Sequence, residues 1–206
     1  MLSRHLRSAV LLAVLLALGI ATLGVTGATG APDIFTDPGG EPPRAKRILK
    51  FDVAEDMNRF RFDPDNTFEE DGLPAAGSFF VTHGYLYPAG TLNGSNGVNP
   101  DGSPEFPDLV IGSWTCYGTF IGEAAHATSG PLVVTTQLYN FGEELGEQMI
   151  VSLGYELADV GVPIQRAITG GTDEYSNARG ELTQRFLGLN ASEGFNLSVE
   201  MEIHTR

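Results

Sequence analysis

From about Arg47 onward, apolar residues come mostly in short runs, broken by clusters of Gly, Pro, Asn and Asp. That punctuation predicts strands rather than helices, because strands are short and their turns need residues tolerant of unusual backbone angles. The pattern predicts strands at Ile48 to Ala54, Gly77 to Tyr87, Ile111 to Ile121, Leu132 to Phe141, Gln148 to Leu157, Ile164 to Thr169, Ser176 to Leu189 and Phe195 to Ile203. In the last of these, Phe195, Leu197, Val199, Met201 and Ile203 alternate with Asn196, Ser198, Glu200 and Glu202. One face of that strand is therefore buried and the other wet. Gly188, Asn190 and the pair Glu193-Gly194 supply a hairpin back to the preceding strand. No segment sustains a helical period, so the fold class is all-β. The insert Asn93 to Asp108 is a long turn-rich loop; such a loop on a barrel often lies at a rim where access to the interior is controlled, although loops are more often inert.

The N-terminus is patterned differently. Arg4, His5 and Arg7 precede an apolar run from Ala9 to Ala21, and small residues from Gly24 to Ala31 follow. That order is the form of a secretory signal peptide over residues 1 to 31, whose apolar run is short for a bilayer span. The expected location is extracellular, with no membrane attachment after cleavage. Residues 32 to 45, rich in Pro and Gly, read as a linker, and residues 46 to 206 as one folded domain.

Charge narrows the partners. The chain carries 12 Lys and Arg against 26 Asp and Glu, and the signal segment removes only Arg4 and Arg7 from that count. So acidic a protein repels phosphate backbones, and nucleic acid is excluded as a partner. A single cysteine, Cys116, cannot form an internal disulfide, so the core must hold the fold. The four histidines, His5, His83, His126 and His204, are scattered without metal-ligand spacing, and no nucleotide or cofactor motif is present. No metal or cofactor is implied.

The stretch from Ala167 to Glu181 (AITGGTDEYSNARGE) resembles the hallmark of the allene oxide cyclase and dirigent β-barrels, in which a strand ends in a GGTG turn and an ARG-type triplet opens the next strand. Here Asp173 stands at the fourth turn position. The stretches Val81 to Tyr87, Val110 to Phe120 and Leu132 to Phe141 agree with that family in order and spacing. The resemblance covers roughly residues 48 to 203. It implies an eight-stranded antiparallel up-and-down barrel of calycin type, a homo-oligomer (a trimer), and a cavity for a small apolar or aromatic ligand. The family's activities imply a cyclase, an isomerase or a stereochemical guide working by steric control. Carried over by position, the family's first-strand glutamate and asparagine fall on Asp52 and Ala54, and a second asparagine on Gly84. Two polar groups of the plant cyclases' water site are thus missing, so allene oxide cyclase activity itself is not expected.

Barrel interiors take every second residue of each strand. By that parity Trp114 and Cys116 share one face, Tyr85 and Tyr87 another with His83, and Gln137 and Tyr139 a third with Thr135. The pattern leaves open which face is inward. Tyr85, Tyr87, Trp114, Cys116, Gln137 and Tyr139 are the candidate ligand contacts, and Asp52 is the candidate acid or base. Asp52 lies between Phe51 and Val53, which simple alternation would bury, so the same pattern also fits a solvent-facing Asp52. A non-catalytic secreted barrel, ligand-binding or structural, is the alternative function.

Overall fold

The computed structural model describes residues 45–205. They form β1 (Ala45–Phe62), β2 (Phe79–Pro88), β3 (Gly112–Phe120), β4 (Pro131–Asn140), β5 (Met149–Leu157), β6 (Pro163–Gly171), β7 (Arg179–Leu189) and β8 (Phe195–Thr205). Each strand pairs antiparallel with its sequence neighbours, and β8 closes onto β1, giving one closed up-and-down barrel. Closure removes the free edges along which an open sheet would pair with other chains. The basic start, the apolar run and the linker as far as residue 44 lie outside the described residues.

Strands β2 to β8 fall within three residues of the spans that hydrophobic patterning predicts. β1 does not, running eight residues past Ala54. Its extension, Glu55-Asp56-Met57-Asn58-Arg59-Phe60-Arg61-Phe62, has charges on both faces and so carries no alternation to read. Register with β2 slips between Asp56 and Arg61. That bulge exchanges the inward parity, so Phe51, Val53, Glu55 and Met57 face the interior before it and Phe60 and Phe62 after it.

The interior has two halves. At the end where β1 starts and β8 finishes, beside the turn 172–178, rings fill the space: Phe51 packs edge-on against Tyr139 and Phe141, each at 5.3 Å, and Phe141 meets Tyr175 at 5.9 Å. Arg47 lies 5.1 Å over the Tyr175 ring and pairs with Glu174 at 2.8 Å. The turn that carries the family resemblance is held by close approach. A Cβ on Gly171 would stand 2.6 Å from both the Met149 and Tyr175 carbonyl oxygens, and Asp173, not Gly171, takes the left-handed conformation, at φ 47°. The other half, under the loops 63–78, 121–130 and 190–194, is not filled.

The loop from Ala89 to Val110 corrects an expectation. It does not sit at the rim of the unfilled end but lies along the outer wall of β1, over Ala54 and Tyr87, burying Leu92 and Val98 against them. Gly94 passes so close to β7 that a Cβ would stand 2.4 Å from the Leu187 carbonyl oxygen. β1 is consequently buried on both faces from Phe51 to Asp56.

Candidate functional site

The unfilled half is a cavity of about 60 Å³. That is several times the ~10–15 Å³ one water needs. Its wall is aromatic, with Phe60, Phe62, Phe80, Phe120, Phe195 and Trp114 contributing rings. Phe60 stacks on Phe80 at 5.1 Å, and Phe80 meets Phe120 at 5.4 Å. Polar groups enter only at the floor and mouth: Glu55, Thr82, Cys116 and Glu156 below, Glu193 above.

Glu55 owes its position to the β7–β8 connection. β1 pairs with β8 as far as Ala54↔Asn196, and beyond that point side chains of the connection replace strand partners. Asn190 Nδ2 donates to the Glu55 carbonyl at 2.8 Å, and the Ser192 hydroxyl accepts from the Met57 N–H at 3.1 Å. Gly194 is required there, since a Cβ would stand 2.2 Å from the Glu55 carbonyl oxygen. The carboxyl itself accepts one backbone hydrogen bond, from Phe195 N–H to Oε2 at 2.8 Å. Full burial pushes Glu55 up to about 7, against the opposing pull of the Phe195 N–H, with the negative charges of Glu156 and Asp56 adding to the rise. The Thr82 hydroxyl faces this carboxyl closely enough to favour its charged form. It completes no hydrogen bond, however, and is the one buried side-chain polar atom among the described residues without a partner.

Beneath the cavity runs a buried polar belt. Glu156 Oε1 accepts from Thr135 Oγ1 at 2.6 Å, Gln137 Nε2 at 2.9 Å and Cys116 Sγ at 3.5 Å. Arg166 Nη1 stands 3.8 Å from the same oxygen, while the guanidinium donates to the Thr135 and Tyr155 carbonyls, both at 3.0 Å, and to Ser152 Oγ at 3.3 Å. Gln137 ties the belt to the aromatic wall. Its Oε1 accepts from Trp114 Nε1 at 3.3 Å and from the Tyr139 hydroxyl, and its Nε2 also donates to Gln184 Oε1 at 3.0 Å. Burial raises the Cys116 thiol and the Tyr139 phenol, so both stay protonated. A buried network in which every member has a partner fixes one arrangement of the side chains that carry it.

The structure divides the residues singled out from the sequence. Trp114 and Cys116 line the cavity, and Gln137 and Tyr139 lie behind it in the belt. Tyr85, Tyr87 and Asp52 face the other way, onto the outer wall beneath the long loop. The Tyr85 hydroxyl donates to the Gly102 carbonyl at 2.9 Å and the Tyr87 hydroxyl to the Gly97 carbonyl at 2.7 Å. Asp52 Oδ2 accepts from the Leu92 N–H at 2.9 Å, and it is buried, neither solvent-facing nor inside the barrel. These three hold the loop on the wall, which corrects their placement as cavity groups. Sequence reasoning missed Glu55, Glu156, Thr82 and Arg166. Continuing the alternation of Phe51 and Val53 by one step reaches Glu55, and that was the available signal.

The class that this wall and cavity define is a closed eight-stranded barrel with a cavity at one end. No protein-family model matches the chain, and no curated protein matches its sequence. Solved structures do. The pterocarpan synthase dirigent protein PsPTS1 is 16% identical over 79% of this chain and 97% of its own, at a TM-score of 0.53. The pterocarpan synthase dirigent protein GePTS1 is 14% identical over 82% and 90%, also at 0.53. The Diels-Alderase AbmU from Streptomyces koyangensis, 10% identical over 79% and 69%, is more distant at 0.42. The chain has the fold of the dirigent proteins.

Proposed function

We propose that this is a secreted barrel that holds a small apolar or aromatic metabolite in the cavity and guides its reaction, as a cyclase, an isomerase or a stereochemical guide. The observation that carries the reading is the unfilled aromatic half above a fixed polar floor. Small barrels are ordinarily packed by their own side chains, as the other half of this one is. A water-poor ring-lined space restricts the conformers of a reactive ligand, and holding a near-attack geometry speeds a unimolecular closure without a covalent step. Glu55, holding a proton close to neutrality, can give or take one at the cavity floor. Secretion rests on the basic, apolar and small-residue order of residues 1 to 31.

The same reading includes a homo-oligomer. β2, β3 and β4 contain no Asp, Glu, Lys or Arg, in a chain of net charge −14. Val81, Tyr117, Thr136 and Leu153 lie side by side across four strands on the outer wall, with Leu153 48% and nearby Tyr155 51% exposed. An uncharged apolar wall of this kind suits a second copy.

The test is titration of the purified protein with neutral phenolic and fatty-alcohol compounds, read by the fluorescence of Trp114, the only tryptophan. Saturable quenching that weakens about tenfold in Phe80→Ala supports the reading, given what a buried ring contributes. Absence of saturable quenching across the panel overturns it in favour of a structural barrel.

A further inference from the structure

We propose that the cavity selects ring-bearing apolar ligands that carry a hydrogen-bond donor, a protonated amine above all, seated against Glu55 and Thr82. The proposal rests on the cavity-binding reading above and adds the chemical class of what is bound.

The lining contains three carboxyl groups, Glu55, Glu156 and Glu193, and no Lys, Arg or His. The cation bonded into the belt beneath it, Arg166, stands behind Glu156 and is engaged by Ser152, by two backbone carbonyls and by Glu156 itself. Other donors at the floor are committed as well. Trp114 donates to Gln137, while Thr135 and Cys116 donate to Glu156. An anionic ligand would therefore meet acidic oxygens and one unengaged hydroxyl, at a desolvated site where like charges repel strongly. A donor-bearing ligand meets the reverse. The Thr82 hydroxyl is buried without a partner and faces the Glu55 carboxyl, only one of whose oxygens is held by the backbone. Leaving such a hydroxyl unmet is costly, and a ligand N–H reaching Glu55 and Thr82 together relieves that cost. Six rings complete the site, because the faces of Phe and Trp attract a cation.

Charge at Glu55 sets how strongly an amine is held. Asp56 on β1 and Glu156 on β5 act on that carboxyl, Cys116 on β3 and Glu193 beside β8 share the cavity lining with it, and Arg166 on β6 acts on Cys116 and stands behind Glu156. An alkylamine is protonated throughout the accessible range, whereas Glu55 ionises near pH 7. Amine binding accordingly strengthens as pH rises through 7, and binding of a neutral analogue does not.

Three probes with one body separate the chemistry: 4-phenylbutylamine, 4-phenylbutanol and 4-phenylbutanoate, titrated by Trp114 fluorescence and calorimetry at pH 8.0 and 5.5. We expect the amine to bind about tenfold tighter than the alcohol at pH 8.0 and the carboxylate weakest, with the amine's advantage shrinking several-fold at pH 5.5. Glu55→Gln should bring the amine down to the alcohol's affinity without weakening the alcohol. Thr82→Val should weaken both by a few-fold. Carboxylate binding equal to the amine, or an amine preference that survives Glu55→Gln, overturns the proposal. Saturable alcohol binding without amine preference overturns this selectivity and leaves the cavity reading standing, whereas silence from all three probes overturns both. If Glu55→Gln does not fold, the wild-type ratios at the two pH values and the Thr82→Val series decide the matter.

Discussion

Asp52 and Glu55 lie three residues apart on β1, and both are buried, yet they belong to different structures. Asp52 faces outward beneath the 89–110 loop, where the Leu92 N–H binds it and the N–H groups of Gly90 and Thr91 also favour its charge. Glu55 faces inward at the cavity floor and has one backbone N–H, from Phe195. Burial raises both carboxyls, but only Glu55, surrounded by rings and by other acids, is carried to about 7. Two things distinguish them: Glu55 is the more deeply enclosed, so desolvation, the first cause of both rises, acts on it most, and Asp52 meets three backbone N–H groups that favour its charge where Glu55 meets one.

That contrast breaks most sharply at Asp52. Asp52→Ala leaves the buried Leu92 N–H without its acceptor, and such a group costs about 1–3 kcal/mol. We expect a loss of up to about 3 kcal/mol in urea unfolding, with amide exchange accelerated across residues 89–106. Unchanged exchange there would show that the loop is held by its apolar contacts alone. The next largest effect is a pH dependence belonging to Glu55. Its folded value of about 7 lies above the usual 4.5, so the folded protein keeps a proton that the unfolded chain gives up. Stability from this group is complete below about pH 4.5 and is lost as pH climbs to about 7, by about 3 kcal/mol at 1.36 kcal/mol per unit. Relative to wild type, Glu55→Gln should lack that decline when urea midpoints are followed from pH 4 to pH 8.

Smaller still is Tyr87→Phe, which removes the hydrogen bond to the Gly97 carbonyl while that oxygen keeps the Glu105 N–H. A cost of about 1 kcal/mol is expected, with ligand binding untouched. Asp52→Asn completes the series. Because Asp52 lies outside the cavity, its substitution should change Trp114 quenching less than about twofold, a difference close to the resolution of affinity measurements. A larger change would connect the outer wall to the cavity in a way the geometry does not.

The sequence made the wall legible and hid the face. On β8 the alternation matches the structure from Leu197 to Ile203, where Leu197, Val199, Met201 and Ile203 are all buried, whereas Asn196, expected on the wet face, is buried too. On β4 and β5 the usual rule is inverted at the belt, although Tyr139 and Ile150 beside it are buried as expected of apolar residues. Thr135, Gln137, Ser152 and Glu156 point inward, while Val134, Leu138, Leu153 and Tyr155 point outward. A polar belt inside and an uncharged apolar wall outside reverse the signal that hydrophobicity gives for the core. On β1 the loop covering the outer face buries Asp52 and Ala54 as thoroughly as Phe51 and Val53, which erases the distinction that alternation relies on. The expected rim loop and the inward Tyr85 and Tyr87 failed for this same reason. The register at which a long loop returns to the wall is set by close approaches such as that of Gly94 to Leu187, which local sequence does not announce. On β3 the pattern paired Trp114 with Cys116 without saying which way they face, and both line the cavity.

The central claim is that Glu55 is the acid of a water-poor cavity. It is tested most directly by a carboxyl-carbon NMR titration of protein labelled at the glutamate side chains, with the Glu55 resonance assigned by its absence from Glu55→Gln. The account predicts a midpoint near 7, standing apart from exposed glutamates such as Glu174, and a shift in that midpoint when a cavity ligand is added. A Glu55 midpoint in the ordinary carboxylate range, near 4.5 and insensitive to ligand, would contradict it.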